Sequence, residues 1–225
     1  MEKAVHLLKQ RRYDEALQAF LSIDVPEDQY PELSYYLGLC YTHLGKYDEA
    51  LLFMEQVLNS GMSFPHIYQS RMILGYIYTV TNRFRLAEFE FSKLLDEGYE
   101  SAKVYAALAY VAYQQKKTAS SIACLEKALR IDPDNSTALN SLGFILADGS
   151  IKLDAALGYC KRAVAQNPQN PAYLDSLGWV YFKMGRFDEA MVCLKKAMEK
   201  SEGNEEIAHH LEQVKRARER RSGAR

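Results

Sequence analysis

No stretch of this 225-residue chain is apolar for long enough to cross a bilayer: the longest run, Val104 to Tyr113, falls far short of the roughly 20 residues a spanning helix needs. Charge of either sign is not in surplus. The net charge is -1, so the global balance gives no reason to expect nucleic acid or an anionic membrane as partner. The four cysteines, Cys40, Cys124, Cys160 and Cys193, are scattered, with no C-x-x-C pair and no histidine at metal spacing. Each lies on an apolar helical segment and reads as a small hydrophobe in a reducing compartment. The opening, Met1-Glu2-Lys3-Ala4-Val5, has neither the long apolar segment nor the small-residue cleavage site of a secretory signal. A cytoplasmic location is therefore expected, with a periplasmic or envelope-associated one as the alternative where an export signal has been removed.

Catalytic groups are missing in the same way. There is no glycine-rich phosphate loop, no G-x-S-x-G elbow and no Cys–His arrangement. His6, His43 and His66 are isolated, and the adjacent His209 and His210 point about 100° apart on a helix, which prevents a shared metal ion. Asp14-Glu15, Asp48-Glu49 and Asp188-Glu189 look like paired carboxylates, but each holds the same place at the start of a helix, where negative charge complements the helix dipole. The chain reads as non-enzymatic, with no metal and no cofactor.

What is present is a repeated unit, clearest in Tyr173 to Ala190. Leu174, Leu177, Gly178 and Tyr181 share one helical stripe, Met184-Gly185-Arg186 interrupts it, and Ala190, Leu194 and Ala197 form a second stripe. This is a helical hairpin, in which Gly178 and Ala190 allow close approach of the two helices. The same spacing returns as Leu37-Gly38, Tyr41, Ala50 and Met54, as Leu74-Gly75, Tyr78, Ala87 and Phe91, as Leu108-Ala109, Ala112, Ser121 and Leu125, and as Leu142-Gly143, Leu146, Ala156 and Cys160. The fourth of these copies carries one extra residue near Asp148-Gly149-Ser150. Small residues at 38, 75, 109, 143 and 178 recur every 34 or 35 residues, apart from one step of 37. Such a period means stacked helical hairpins.

The pattern resembles the tetratricopeptide repeat family, with its W-x-x-L-G-x-x-Y, A-x-x-x-F and P signature, over nearly the whole chain. The resemblance implies an all-α fold, a right-handed superhelical solenoid of stacked antiparallel hairpins. Six repeats are expected within 1–204, an incomplete one at 1–30 and then 31–67, 68–101, 102–135, 136–170 and 171–204. The step of 37 falls at Asn59 to Pro65, where Ser63 can cap a longer first helix containing Pro65. Ile207, Ala208, Leu211 and Val214 then continue one apolar stripe as a capping helix over 205–221, followed by a basic tail at 222–225. The basic run Lys215 to Arg221 is expected to fray at the helix end.

A second stripe on each first helix carries the functional expectation. One place after the small residue stand Leu39, Tyr76, Tyr110, Phe144 and Trp179; three before stand Tyr35, Met72, Ala106, Asn140 and Asp175; four after stand Thr42, Thr79, Tyr113, Ala147 and Phe182. Rigid aromatics offer much contact area for little lost entropy. In the family the chain resembles, first helices line a concave groove and these places supply many ligand contacts. The resemblance therefore points to peptide binding by Tyr35, Leu39, Met72, Tyr76, Tyr110, Tyr113, Asn140, Phe144, Asp175, Trp179 and Phe182. The competing reading makes the same ladder inter-repeat core, and Trp179 separates the two, since a groove residue keeps one wet face. The lysine and asparagine clamp of chaperone-tail-binding members is replaced by Met72 with Tyr76 and Ala106 with Tyr110, against that function. The chain thus reads as a protein-binding scaffold, similar to many bacterial repeat proteins, some of them associated with envelope assembly. The alternative is a self-assembling unit, a homodimer through the incomplete first hairpin.

Overall fold

The computed structural model describes residues 1–201 and 203–223. Among them are thirteen α-helices and no strand. Six hairpins follow in order: α1 (Glu2–Lys9) with α2 (Tyr13–Leu21), α3 (Tyr30–His43) with α4 (Tyr47–Leu58), α5 (Phe64–Val80) with α6 (Phe84–Asp96), α7 (Ala102–Gln114) with α8 (Thr118–Ile131), α9 (Ser136–Asp148) with α10 (Leu153–Gln166), and α11 (Pro171–Lys183) with α12 (Phe187–Lys200). A last helix, α13 (Glu205–Gly223), has no partner helix of its own. The chain forms two compact units, one of Met1–Glu100 with the first three hairpins and one from Ser101 onward with the other three and α13.

All six hairpin turns use the same device. The first helix ends on a residue in left-handed conformation, in turn Arg11, Gly45, Asn82, Lys116, Ser150 and Gly185, with φ between 53° and 73°. The next N–H then reaches back to a carbonyl of the last turn, as from Lys46 to Tyr41 (2.9 Å), Lys117 to Ala112 (2.9 Å) and Arg186 to Tyr181 (2.9 Å). This closure satisfies carbonyls that a helix end leaves free. Only two of the six positions are glycine, so the turn is set by the hairpin rather than by residue type. The extra residue in the fifth hairpin is taken up by a second left-handed residue, Lys152 (φ 45°), immediately before α10.

In the last three hairpins the small residues meet as their spacing predicts, while Gly38 and Gly75 face Met54 and Phe91. Ala16, Ala50, Ala87, Ser121, Ala156 and Ala190 are buried on the second helices. The contact is close at all four glycines on first helices: a Cβ would stand 2.7 Å from Met54 Cε on Gly38, 2.4 Å from Phe91 Cε1 on Gly75, 2.4 Å from Cys160 Sγ and 3.0 Å from the Ala156 carbonyl on Gly143, and 2.7 Å from Leu194 Cγ on Gly178. Where the fourth hairpin has Ser121, its hydroxyl donates to the Ala109 carbonyl at 2.7 Å, so the polar atom is satisfied inside the interface.

Three local expectations are corrected. The longer first helix of the third hairpin exists, but Ser63 Oγ pairs with His66 Nδ1 (2.8 Å) and caps no backbone N–H, because Pro65 removes one of the donors in that turn. Side-chain caps appear instead at Ser101, Asn135 and Asn170, which accept from Val104, Ala138 and Ala172. The basic run at the end does not fray: α13 continues through it to Gly223, past the boundary expected at 221. Arg218 pairs with Asp188 at 3.0 Å, and Arg221 donates to the Gly185 carbonyl at 3.1 Å while lying over the Phe187 ring. Of the expected tail at 222–225, residues 224 and 225 lie outside the described residues.

Candidate functional site

The second unit gathers much of the ladder into one cleft of ≈ 380 Å³. Tyr110, Tyr113 and Gln114 come from α7, Asn140, Ser141 and Phe144 from α9, Pro171, Ala172 and Asp175 from α11, and Asn204, Glu206 and Ile207 from the start of α13. The helices present these residues together because first helices of successive hairpins are neighbours, α7 beside α9, α9 beside α11 and α11 beside α13. Residues one repeat apart therefore share a wall. Tyr110 is 53% exposed, and Tyr113 meets Phe144 edge to face with ring centroids 6.3 Å apart.

The polar atoms of the cleft differ in how far they are already committed. Tyr113 donates to Asp148 Oδ2 at 3.2 Å, and its phenol is pushed up to about 12, chiefly by burial and then by the charges of Asp148 and Glu206. Asp148 also accepts from Trp179 Nε1 at 3.3 Å and has Lys183 Nζ 3.9 Å from its carboxylate. Asp175 is paired with His210, both side chains being buried. By contrast, Asn140 Oδ1 is buried and accepts no hydrogen bond. An amide left in this state is costly unless another group supplies the donor.

Four ladder residues stand elsewhere. Trp179 is 6% exposed, stacked on the His210 ring with centroids 4.2 Å apart, and has Lys183 Nζ over its ring, 4.9 Å from the centre. The wet face expected of it is absent because α13 takes the place of a further first helix and lays His210 over the indole. Tyr110 escapes the same fate. It is 53% exposed, with no ring stacked on it among the described residues. Phe182 is half-buried against Trp179 and Phe187. Tyr35 is buried, with its hydroxyl donated to Gln69 and its ring edge-on to Tyr36 and His66. Met72 is half-buried.

The first unit has a smaller share of the ladder. Leu39 and Tyr76 line a shallow groove there with Thr42, His43, Tyr47 and Ile73. Tyr76 is 49% exposed, and its phenol is raised mainly by a hydrogen bond with Tyr47.

Asp148, Glu206 and His210 were not on the ladder at all. Asp148 lies in the last turn of a first helix, off both stripes, and nothing in a period marks it. His210 did leave a signal, since it follows Asp175 by one repeat length. Two of the three carboxylate pairs hold the arginine at their own helix start: Glu15 and Glu189 bind Arg12 and Arg186 at the starts of α2 and α12. Among the described residues no three His, Cys, Asp or Glu side chains come together to hold a metal ion. Burial pushes the Cys40 and Cys160 thiols up to about 11 and about 12, which leaves little thiolate for chemistry. Nor is any described helix long and apolar enough to cross a membrane.

Comparison with known proteins agrees with this architecture. A family model for the tetratricopeptide repeat matches residues 1–63, 74–136 and 106–171, and a second matches 146–214. A TPR repeat-containing protein of Pseudomonas aeruginosa is 37% identical over 92 residues, which is 39% of this chain and 16% of that protein. The cell division cycle protein 16 homolog of Homo sapiens is 29% identical over 157 residues, 65% of this chain and 24% of that one. The chain thus spans less than a quarter of the length of either relative. Among solved structures, the Cut9–Hcn1 hetero-tetramer of the APC/C superposes with a TM-score of 0.81 at 13% identity, over 96% of this chain and 42% of that chain. A thermophilic TPR protein of Thermus thermophilus gives 0.63 at 21% identity, over 82% and 98%. YrrB, described as a TPR protein with an unusual peptide-binding site, gives 0.58 at 19% identity, over 80% and 91%. At these identities the likeness is one of fold.

Proposed function

The chain belongs to the tetratricopeptide repeat family, whose members generally mediate protein–protein interaction, and from that premise we propose that it is a non-enzymatic scaffold holding an extended segment of a partner protein. The cleft of the second unit is its principal seat. One observation carries this reading: Tyr110, Tyr113, Asn140 and Phe144, drawn from two successive first helices, line one cleft in which Tyr110 is open and the Asn140 amide oxygen is unpaired. An extended peptide carries a backbone N–H at every residue except proline, and the half-buried Asn140 side chain lines the wall along which it would run. The phenol and phenyl faces give the apolar contact that anchors such a segment. Tyr76 with Leu39 in the first unit offers a second, shallower contact. We place the protein's work in the cytoplasm, on the cysteine usage described above.

The test compares proteins captured from the source organism by the wild-type chain and by a double variant, Tyr110→Ala with Asn140→Ala. Circular dichroism confirms that both are folded. The expected result is loss of a defined set of captured proteins in the variant. Recovery of the same set by both would exclude the cleft as the seat of binding. Sedimentation of the free chain at several concentrations separates this reading from self-assembly, for which a mass of twice the monomer is required.

A further inference from the structure

The cleft of the second unit has a chemical bias, and resting on the reading above, we infer that it takes a segment bearing an arginine or lysine side chain. None of its lining residues is lysine, arginine or histidine, whereas two, Asp175 and Glu206, are carboxylates. The Asp175 charge is already held by His210. Glu206 is different: it lines the cleft, is exposed, and has no ion pair among the described residues. An unpaired carboxylate thus lines the same cleft as the open ring of Tyr110 and the edge-to-face pair of Tyr113 and Phe144.

Those parts suit a cation on an extended chain. An aromatic face attracts a guanidinium or ammonium electrostatically, and arginine adds planar stacking and a fork that fits one carboxylate. The same walls disfavour an acidic segment, which would bring like charge to Glu206 with no basic residue to receive it. Two basic residues near the end of α13 are engaged on another surface, Arg218 on Asp188 and Arg221 on the Gly185 carbonyl. The occupant is therefore assigned to a partner protein: an extended segment with a basic side chain among apolar neighbours.

The probe is a phage-displayed library of random decapeptides selected on the immobilised full chain, followed by synthesis of the strongest binder and of its analogue with the basic residue replaced by neutral citrulline or glutamine. Selected sequences are expected to be rich in arginine or lysine, and the neutral analogue to bind roughly tenfold more weakly. Glu206→Gln, an exposed change that leaves the fold intact, should shrink that difference to about threefold or less. Tyr110→Ala should weaken both peptides. If Tyr110→Ala abolishes binding but charge makes no difference, or the selected peptides are acidic, the cleft stands as a binding site and the basic preference is refuted. If Tyr110→Ala has no effect on any selected peptide, the cleft reading itself fails. An empty selection, or self-association relieved by Arg220→Ala with Arg221→Ala, would overturn the assignment in favour of no ligand or of a second copy's basic end.

Discussion

The imidazole of His210 on α13 sits with Nδ1 2.9 and 3.0 Å from the two carboxylate oxygens of Asp175 on α11, one repeat earlier, and both side chains are buried. A carboxylate only accepts, so Nδ1 carries the proton in this contact. The pair ties the last helix to the last hairpin, and it takes Asp175 out of the set of side chains free to meet a ligand. Ile207 and Val214, buried on the same face of α13, supply the apolar part of that docking.

Removing one member of the pair leaves the other buried without its partner. Asp175→Ala is expected to cost about 1–3 kcal/mol, read from the urea midpoint. His210→Ala should cost a similar amount, and the double variant less than the sum of the two, because the second change removes the orphaned group. Strict additivity would show that the contact contributes no coupling energy.

Trp179 is the single tryptophan and reports on the same docking. Stacked under His210, it should emit at short wavelength and resist acrylamide. Trp179→Ala should cost about 3–5 kcal/mol. Asp175→Ala should shift the emission to the red as α13 loosens. Emission typical of a wet indole in the wild type would contradict the burial described here.

The hairpin turns make a prediction of opposite sign at two equivalent places. Gly185 has φ 73° and nothing within 4 Å of where a Cβ would stand, so Gly185→Ala should cost about 1 kcal/mol from backbone strain alone. Lys116 holds the same conformation at φ 62° without being glycine. Lys116→Gly relieves that strain at some cost in unfolded-chain entropy, leaving a net gain of a few tenths to about 1 kcal/mol. Calorimetry of the two variants decides it, with melting shifts of about 2–4 °C per kcal/mol expected for a chain of this size.

In the first unit Arg71 is half-buried between Glu90 (2.9 Å) and Glu97 (3.1 Å). Burial raises the Glu90 carboxyl above its ordinary value of 4.5, and the Arg71 hydrogen bond and charge only partly oppose this. A raised folded value means that the stability contributed by the protonated form is complete below pH 4.5 and is lost as pH rises through the folded value. The stability of the wild type relative to Glu90→Gln should therefore fall from pH 4.5 towards neutrality, in denaturant titrations over that range. A relative stability that rises with pH would show that Arg71 outweighs desolvation.

Most of the architecture was legible in the sequence because a repeat states the same local rule several times. Small residues on facing stripes, Gly178 against Leu194 and Gly143 against Cys160, mark where helices approach, and period alone places them. The ladder was legible as a register on the first helices, but its exposure was not. Tyr110 and Trp179 hold the same register, yet one is open and the other covered. What covers Trp179 is His210 on the next helix of the stack, which lies over the indole.

By itself, then, the sequence determined the helices, their pairing into hairpins and the identity of the residues on each stripe, since these follow from periodicity and from steric limits that act over a few turns. Only the tertiary structure decided which ladder residues are spent on the fold and which line an open cleft. That division depends on the side chains facing each ladder position across a helix interface. Thus α13, by laying His210 on Trp179 and against Asp175, closed one end of the ladder, while Tyr110, Tyr113, Asn140 and Phe144 remained as the walls of a cleft.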